Sequence, residues 1–176
     1  RVQVAQLEYV FPTVKAWDRD DAALQVARMI LTGSKNARLT KRLVYDEQSA
    51  TMVMASPDHR RYDGDFDIVA RPKPGKPIGP VQRAVDEELR RLGEAPPSAR
   101  EMEQAKNALE AAFLRSTQTV DGKADQLNQY YFEVGVPDAF QRDLDRLRAV
   151  TPADVQRVVK QYLTGPRAIV SVVPMG

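Results

Sequence analysis

Apolar residues along the chain recur with two different periods, and each period predicts one kind of secondary structure. Alternation of apolar and polar residues predicts a first strand over 2–11, which Pro12 would end because proline cannot donate a ladder hydrogen bond. Short runs of β-forming residues predict two further strands over 51–55 and 64–70. The closing run 167–173 (RAIVSVV) is almost continuously apolar, so it predicts a buried strand.

Apolar residues at helical spacing occupy the rest of the chain. The first predicted helix has a candidate N-cap at Asp18 or Asp20, and Gly33 is predicted to end it in the left-handed conformation. Gly93 is predicted to end the third helix, and Ser98 with Glu101 forms a capping-box signature before the fourth. The predicted helices cover residues 21–32, 37–47, 81–92, 99–116, 121–134, 140–147 and 151–163.

The predicted order is strand, two helices, two strands, five helices and a last strand. Grouping of helices between strands predicts an α+β fold with two layers, in which helices pack on one face of a mostly antiparallel sheet. The basic loop 71–80 contains four prolines and two glycines, but it is too short to separate two cores. We therefore expect one domain over 1–176, and we expect the loop to be solvated.

Composition narrows the function classes. Apolar residues make up 43% and charged residues 28%, and 26 basic against 24 acidic residues give a net charge of +2. This balance, with both signs interspersed, does not predict a nucleic-acid partner. The longest apolar runs are too short for a transmembrane helix, so membrane insertion is not expected. The chain has no cysteine, which excludes disulfides and thiolate metal sites.

Candidate catalytic and metal-binding residues are few. His59 is the single histidine, and stable zinc sites use more nitrogen or sulfur ligands than this chain can supply, so we expect a solvated loop histidine. Segment 33–35 (Gly-Ser-Lys) lacks the earlier glycine of a phosphate-binding loop, and no nucleophile elbow is present. The sequence therefore predicts no catalytic and no metal-binding residue.

An aspartate-rich stretch and an aromatic run each suggest a ligand site, and a structural interpretation is better for both. Asp63, Asp65 and Asp67 superficially suggest a calcium loop, but the twelve-residue pattern and its final glutamate are missing. The better interpretation of this stretch is the beginning of a strand whose carboxylates are in solvent. The aromatic run 130–132 (Tyr-Tyr-Phe) is predicted to pack in the core or as a lid, since its near-neutral surroundings do not favour a base-stacking platform.

Stretch 21–56 resembles a segment of the insulinase/pitrilysin-type zinc metallopeptidases, which include mitochondrial-processing-peptidase-like proteins. Further stretches, over 101–111, 130–140, 148–163 and 168–174, are similar to later segments of the same family in the same order. Each stretch is weak alone, but the ordered set covers nearly the whole chain. The matching residues in the first stretch are Ala23, Leu24, Ile30, Leu31, Gly33, Arg38, Leu39, Leu43 and Ala50.

The resemblance implies a non-catalytic role for this domain. In that family, homologous two-layer domains form the halves of a chamber, and one half carries a His-x-x-Glu-His zinc motif that this chain lacks. The chain therefore resembles the inactive, usually C-terminal, domain. The resemblance implies that it closes the substrate chamber and helps to bind an extended peptide, while zinc and catalysis belong to a homologous active domain or partner subunit.

One departure from the family pattern concerns substrate binding. Active relatives often carry an arginine, with a tyrosine seven residues later, in the inactive half. The alignment places Val44 and Thr51 at these positions, and neither can donate the same hydrogen bonds. We therefore assign no substrate-binding pair to this chain.

The family domain normally begins with a strand and a helix before the position of Arg1, so we expect a truncated domain with an uncovered sheet edge or helix face. The resemblance also implies an exported, periplasmic protein. Two alternatives remain open: a structural or assembly homologue without peptidase activity, like the core subunits of respiratory complexes, and an unrelated helical interaction module.

Overall fold

The computed structural model describes residues 4–60 and 62–173, without the side chain of His59. In chain order, its strands and helices are β1 (Gln6–Thr13), α1 (Asp21–Thr32), α2 (Arg38–Thr40, continued by a π-helix Lys41–Asp46), β2 (Ala50–His59), β3 (Gly64–Pro72), α3 (Ile78–Glu94), α4 (Ala99–Ser116), α5 (Val120–Val134), α6 (Phe140–Ala149), α7 (Pro152–Val158, continued by a π-helix Val159–Leu163) and β4 (Ala168–Val172). The predicted element order and the α+β fold are confirmed.

The strands form one antiparallel sheet in the order β2-β3-β1-β4. Alternate residues of the strands point into one apolar core, which the helices cover. In β1 these are Leu7, Tyr9 and Phe11, and in β3 they include Phe66 and Ile68. Each is fully buried, so the sheet and the helices share a single core.

Two prolines lie inside strands. Pro12, which was predicted to end the first strand, is paired with Asp65 within β1. Pro57, which lies between the strands predicted over 51–55 and 64–70, is paired with Phe66 within β2. Pairing between β1 and β4 ends at Val10, so Pro12 has a strand on one side alone among the described residues. Pro57 lies on an edge strand, where a missing N–H leaves no ladder bond broken. The turn between β2 and β3 is correspondingly shorter than predicted.

The predictions for two glycines are corrected in part. Gly33 ends α1 as predicted, but its φ of −71° is a right-handed value and not the expected left-handed one, and its N–H donates to Met29 O. Gly93 lies inside α3, which ends at Glu94. A Cβ built on Gly93 would lie 3.4 Å from Lys160 Cα, an ordinary van der Waals distance, so α3 packs against the π-helical turn after α7 with room for a methyl group at this position.

The predicted burial of β4 is also wrong. β4 is an edge strand with one neighbour, β1, among the described residues, and its side chains are largely exposed. Ile169 remains 37% and Val170 47% accessible. The apolar run was typical of a central strand, but burial depends on the elements that lie beside a strand.

Helices α4 and α5 are also less buried than their apolar residues predict. The helical spacing of apolar residues in α4 predicts one buried stripe; Met102, Ala105 and Leu109 are indeed buried, whereas Ala112 is exposed and Phe113 is partly exposed. Along α5 a single residue, Tyr130, is buried. The residues of α5 that recur at helical spacing and predict an apolar side are largely accessible, because no element among the described residues covers them. The exposed positions on that side are Ala124, Leu127 and Tyr131.

Candidate functional site

The face of the sheet opposite the helices is uncovered by any described element. Strand register places Met54, Val69, Glu8 and Val170 side by side in one row across all four strands. None of these side chains is buried, and Met54 is 50% accessible. The next row contains Ser56, Asp67, Val10 and Ala168. We call this surface the open sheet face; it mixes apolar and acidic side chains over the full width of the sheet.

Asp67 lies near the middle of the open sheet face. Partial burial, followed by the nearby carboxylates of Asp65, Glu8 and Asp58, raises its pKa, and Arg60 offsets part of this effect. Its Oδ1 atom is buried without a hydrogen-bond partner among the described residues. The face is therefore acidic at its centre, with charge that is incompletely neutralised.

The hairpin between β2 and β3 brings the remaining acidic residues of the suspected calcium loop together with one cation. Arg60 Nη2 lies 2.7 Å from Asp65 Oδ2, and its guanidinium also reaches Asp58 and Asp63. Asp65 and Asp67 are within β3, where they alternate with core residues. The prediction of a strand entry with no calcium loop is consistent with this geometry. His59 ends β2 and pairs with Gly64 through its backbone, so the expected loop position is wrong.

The two positions aligned with the family's arginine and tyrosine lie on different elements. Val44 is on the π-helical turn of α2 and packs, partly buried, against the core. Thr51 is exposed at the start of β2, and its hydroxyl donates to Arg71 O at 3.1 Å. Neither side chain carries the donor groups of an arginine or a tyrosine, and the absence of a substrate-binding pair remains a prediction from the sequence.

The zinc that the fold family implies does not fit this chain. Among the described residues, no three histidine, aspartate or glutamate side chains come together in a way that could hold a metal ion. The carboxylates of Asp20, Asp21 and Glu88 are buried, but each is held by arginine. The described residues therefore do not provide a set of ligands that could bind the zinc.

A polar cleft of about 440 Å³, which the sequence did not predict, lies between α1, α4, α5 and α6. Arg146 donates to Asp21 Oδ2 at 3.1 Å and to Asp143 Oδ1 at 2.8 Å. The Tyr130 hydroxyl donates to Asp143 Oδ2 at 3.0 Å, and burial with the adjacent carboxylate raises the pKa of Tyr130. Each carboxylate named here is already paired, so these contacts anchor α5 and α6 to α1.

Trp17 forms the other wall of this cleft in an unusual backbone conformation. Its φ is 62°, which a bulky side chain rarely adopts. Three contacts hold it there: its N–H donates to Asp21 Oδ2 at 2.9 Å, its indole donates to Glu133 Oε2 at 2.8 Å, and the Arg146 guanidinium stacks 3.9 Å from the ring centroid. The single tryptophan beside an acidic run was the sequence signal for this cluster. Within the aromatic run 130–132, Tyr130 packs as predicted, while Tyr131 and Phe132 are mostly exposed.

No helix in the described part of the chain combines the length and the apolar character that a membrane crossing requires.

The fold is similar to those of several solved proteins at 13–22% sequence identity, which establishes similarity of fold. A protease from Helicobacter pylori superposes with a TM-score of 0.89 at 17% identity, over 98% of this chain and 42% of that one. The inactive peptidase domain of a proposed zinc protease from Bordetella parapertussis gives 0.84 at 22%, over 99% and 96%. A chain of complex III2 from Candida albicans gives 0.83 at 13%, over 97% and 43%.

This chain thus spans less than half of the Helicobacter protease but nearly all of the Bordetella domain. No curated protein matches its sequence. A family model described as the peptidase M16 inactive domain matches residues 1–109, which is more than half of the chain. The resemblance seen in the sequence is therefore confirmed, and the chain belongs to the peptidase M16 inactive domain family.

Proposed function

We propose that this domain is the non-catalytic half of a zinc-dependent endopeptidase, in which it closes the substrate chamber and helps to bind an extended peptide. The observation that carries the proposal is the open sheet face. A four-stranded sheet normally buries one face and can leave the other solvated, but here the accessible face carries Met54, Val69 and Val170 in one row. A wall with mixed apolar and acidic character suits a surface that meets polypeptide.

A homologous active M16 domain would supply the chemistry. The described residues of this chain offer no metal site, whereas peptide hydrolysis in the family uses a zinc-activated water. The active domain, in the same chain or in a partner subunit, would hold the zinc opposite the open sheet face. An exported, periplasmic location stays a prediction from the resemblance.

Charge reversal on the open sheet face tests the proposal in the protein or complex that carries both domains. Met54→Lys combined with Ser56→Lys places two cations on exposed positions of that face. We expect cleavage of an extended peptide to fall at least tenfold while the zinc content stays at one ion per active domain. Leu114→Lys, at a position on α4 with similar exposure (52%), is the matched control and should leave cleavage unchanged.

The opposite result would overturn the proposal. Unchanged cleavage in the double variant would mean that the open sheet face does not contact substrate. An equal loss of cleavage in Leu114→Lys would mean that an added positive charge reduces cleavage wherever it lies on the surface.

A second function is favoured by one observation, the likeness to a chain of complex III2. Together with Val44 and Thr51 at the family's arginine and tyrosine positions, it supports a structural or assembly role without peptidase activity. Zinc content distinguishes the two functions. About one zinc per active domain with chelator-sensitive cleavage supports the peptidase, and neither zinc nor cleavage supports the assembly role.

A further inference from the structure

The polar cleft between α1, α4, α5 and α6 has the size and the mixed lining of a site for a small ligand. Its volume of about 440 Å³ lies within the range of ligand pockets. Leu109 and Phe113 of α4, Leu147 of α6 and Pro57 of β2 supply apolar surface. The cleft therefore suits a ligand that has a short apolar part beside a polar group.

Glu133 is held in this cleft by neutral groups. Its Oε2 accepts the Trp17 indole N–H at 2.8 Å, and its Oε1 accepts the Gln129 side-chain N–H at 3.0 Å. No lysine or arginine among the described side chains is paired with this carboxylate. An ionised carboxylate has about four acceptor sites, so Glu133 is fixed in position and can still accept hydrogen bonds from a cation.

Glutamine side chains on two walls of the cleft supply further acceptors. Gln126, Gln129 and Glu133 follow one another at i, i+3 and i+7, so they lie on one face of α5, and all three line the cleft. On α1, the Gln25 Nε2 donates to Asp21 Oδ1 at 2.9 Å. No described group donates to the side-chain oxygen of Gln25 or of Gln129. These two oxygens and Glu133 match the three N–H donors of an ammonium group.

The balance of charge favours a cation over an anion. Four carboxylates and one guanidinium of the described residues line the cleft, those of Asp21, Asp58, Glu133, Asp143 and Arg146. Arg60, which is not part of the lining, pairs with Asp58, and Arg142 stacks 4.7 Å from the Trp17 ring centroid. Negative charge remains in excess even when these two arginines are counted.

An organic cation fits this arrangement better than a metal ion. Among the described residues, the carboxylates do not come together as a group that could hold a metal. A metal ion needs several oxygen ligands around one point, whereas an ammonium group on an alkyl chain can use one carboxylate, two amide oxygens and an apolar wall. Glu133, the glutamines and the leucine and phenylalanine side chains provide these parts on different walls.

We propose that this cleft binds a primary alkylammonium ion. Glu133 is its counter-ion, the side-chain oxygens of Gln25 and Gln129 accept its other N–H groups, and Leu109 and Phe113 contact its alkyl chain. Such a group is carried by a free amine or by a lysine side chain. The site goes beyond the proposed function, because the helices that line it cover the face of the sheet opposite the open sheet face.

The single tryptophan gives a direct readout of binding, since the Trp17 indole donates to Glu133. The 176-residue chain is titrated with pentylamine, cadaverine and N-acetyl-lysine methylamide, and pentanol serves as the neutral analogue. We expect a saturable change in fluorescence with the ammonium probes and binding of pentanol that is weaker by about tenfold or more. Tighter binding of cadaverine would assign the site to free amines, and tighter binding of the lysine derivative would assign it to lysine side chains.

Variants of the chain give a second readout by isothermal titration calorimetry, which does not depend on Trp17. Glu133→Gln removes the charge and keeps an acceptor for the indole, and it should weaken binding by about tenfold or more. Asp125→Asn removes the same charge at an exposed position of α5 outside the cleft and should leave binding unchanged. Ala112→Phe fills the cleft from an exposed position in its lining and should abolish binding.

Three results would overturn the proposal. They are no binding of any ammonium probe, binding of pentanol as tight as that of pentylamine, or equal affinity in Glu133→Gln and Asp125→Asn. Circular dichroism and thermal unfolding establish that each variant is folded, and the comparison of pentylamine with pentanol gives its answer on the unmodified chain. None of these outcomes depends on the cleavage experiment at the open sheet face.

Discussion

Arg157 and Asp20 form a bidentate ion pair that connects α7 to the beginning of α1. Arg157 Nη2 lies 2.7 Å from Asp20 Oδ1, and Nη1 lies 3.0 Å from Oδ2. Tyr162 donates a third hydrogen bond to Oδ2 at 2.9 Å. These partners, Arg157 foremost, lower the pKa of Asp20 although burial opposes them. The expected N-cap bond from the Asp20 side chain is absent, because its carboxylate is used in this long-range contact.

Asp20→Asn should therefore destabilise the fold. The substitution leaves the Arg157 guanidinium and the Tyr162 hydroxyl without their ionised partner, and losses of this kind cost about 1–3 kcal/mol. Urea unfolding at pH 7 measures the change in the free energy of unfolding. Asp46→Asn, which removes an exposed ion pair with Lys41, is the control and should cost at most about 0.5 kcal/mol. Equal losses in the two variants would contradict the prediction.

The ion pair between Arg38 and Glu101 should make stability depend on pH in acid. Arg38 Nε lies 2.7 Å from Glu101 Oε1, and the arginine, with Ser98, lowers the Glu101 pKa from 4.5 to about 2. A folded-state pKa below the unfolded value means that protonation favours unfolding. The contribution is therefore fully present above about pH 4.5 and is lost as the pH falls through about 2.

Glu101→Gln should reduce the free energy of unfolding by about 1–2 kcal/mol at pH 7 and flatten its decline between pH 4.5 and 2. Urea unfolding at several pH values measures both effects. Glu103→Gln, on the exposed side of the same helix, should keep the wild-type pH profile. The same acid profile in Glu101→Gln and in the wild type would show that this ion pair does not contribute.

Two helical glycines should respond to alanine with opposite signs. A Cβ on Gly93 would meet Lys160 Cα at 3.4 Å, an ordinary contact, so Gly93→Ala should be neutral or stabilise by up to about 1 kcal/mol through lower chain entropy in the unfolded state. A Cβ on Gly122 would overlap the Ser116 carbonyl oxygen. Gly122→Ala should therefore lower the thermal midpoint. Differential scanning calorimetry of both variants tests the sign, and destabilisation by Gly93→Ala would contradict the packing inferred for α3.

Tyr130 should control how firmly α5 is attached. It is the buried residue of α5, it packs edge-on against Trp17 and Phe140, and its hydroxyl donates to Asp143. Tyr130→Phe should cost about 1 kcal/mol and should speed amide hydrogen exchange in α5 while β1 and β3 keep wild-type protection. Tyr131→Phe, at an exposed position one residue later, is the control. Uniform loss of protection throughout the sheet would mean that Tyr130 supports the whole core.

Local pattern was sufficient to identify the capping motifs and the order of the elements. The capping box of Ser98 and Glu101 forms as predicted, and a second capping box, of the same spacing, forms between Thr151 and Asp154. Both depend on groups three residues apart, so the sequence contains the whole interaction. The missing zinc motif likewise could be read directly, since a metal site needs ligand types that this chain does not carry in the required number.

Burial of individual elements could not be read in the same way. The apolar run in β4 and the apolar side of α5 resemble buried segments, yet both are accessible. An apolar side chain becomes buried through a neighbour from elsewhere in the chain, and no local signal states whether that neighbour is present. Gly93 illustrates the same limit, because its close neighbour Lys160 is distant in sequence.

The sequence by itself determined the α+β class, the family and the absence of a zinc motif, because these depend on residue types and on spacings within one element. The tertiary structure decided which strands form the edges of the sheet, which face is uncovered and which arginine pairs with Asp20 and with Asp21. Those features arise from strand order and from contacts between residues more than a hundred positions apart. Their energies come from burial and charge pairing in three dimensions, so they exist only once the chain has folded.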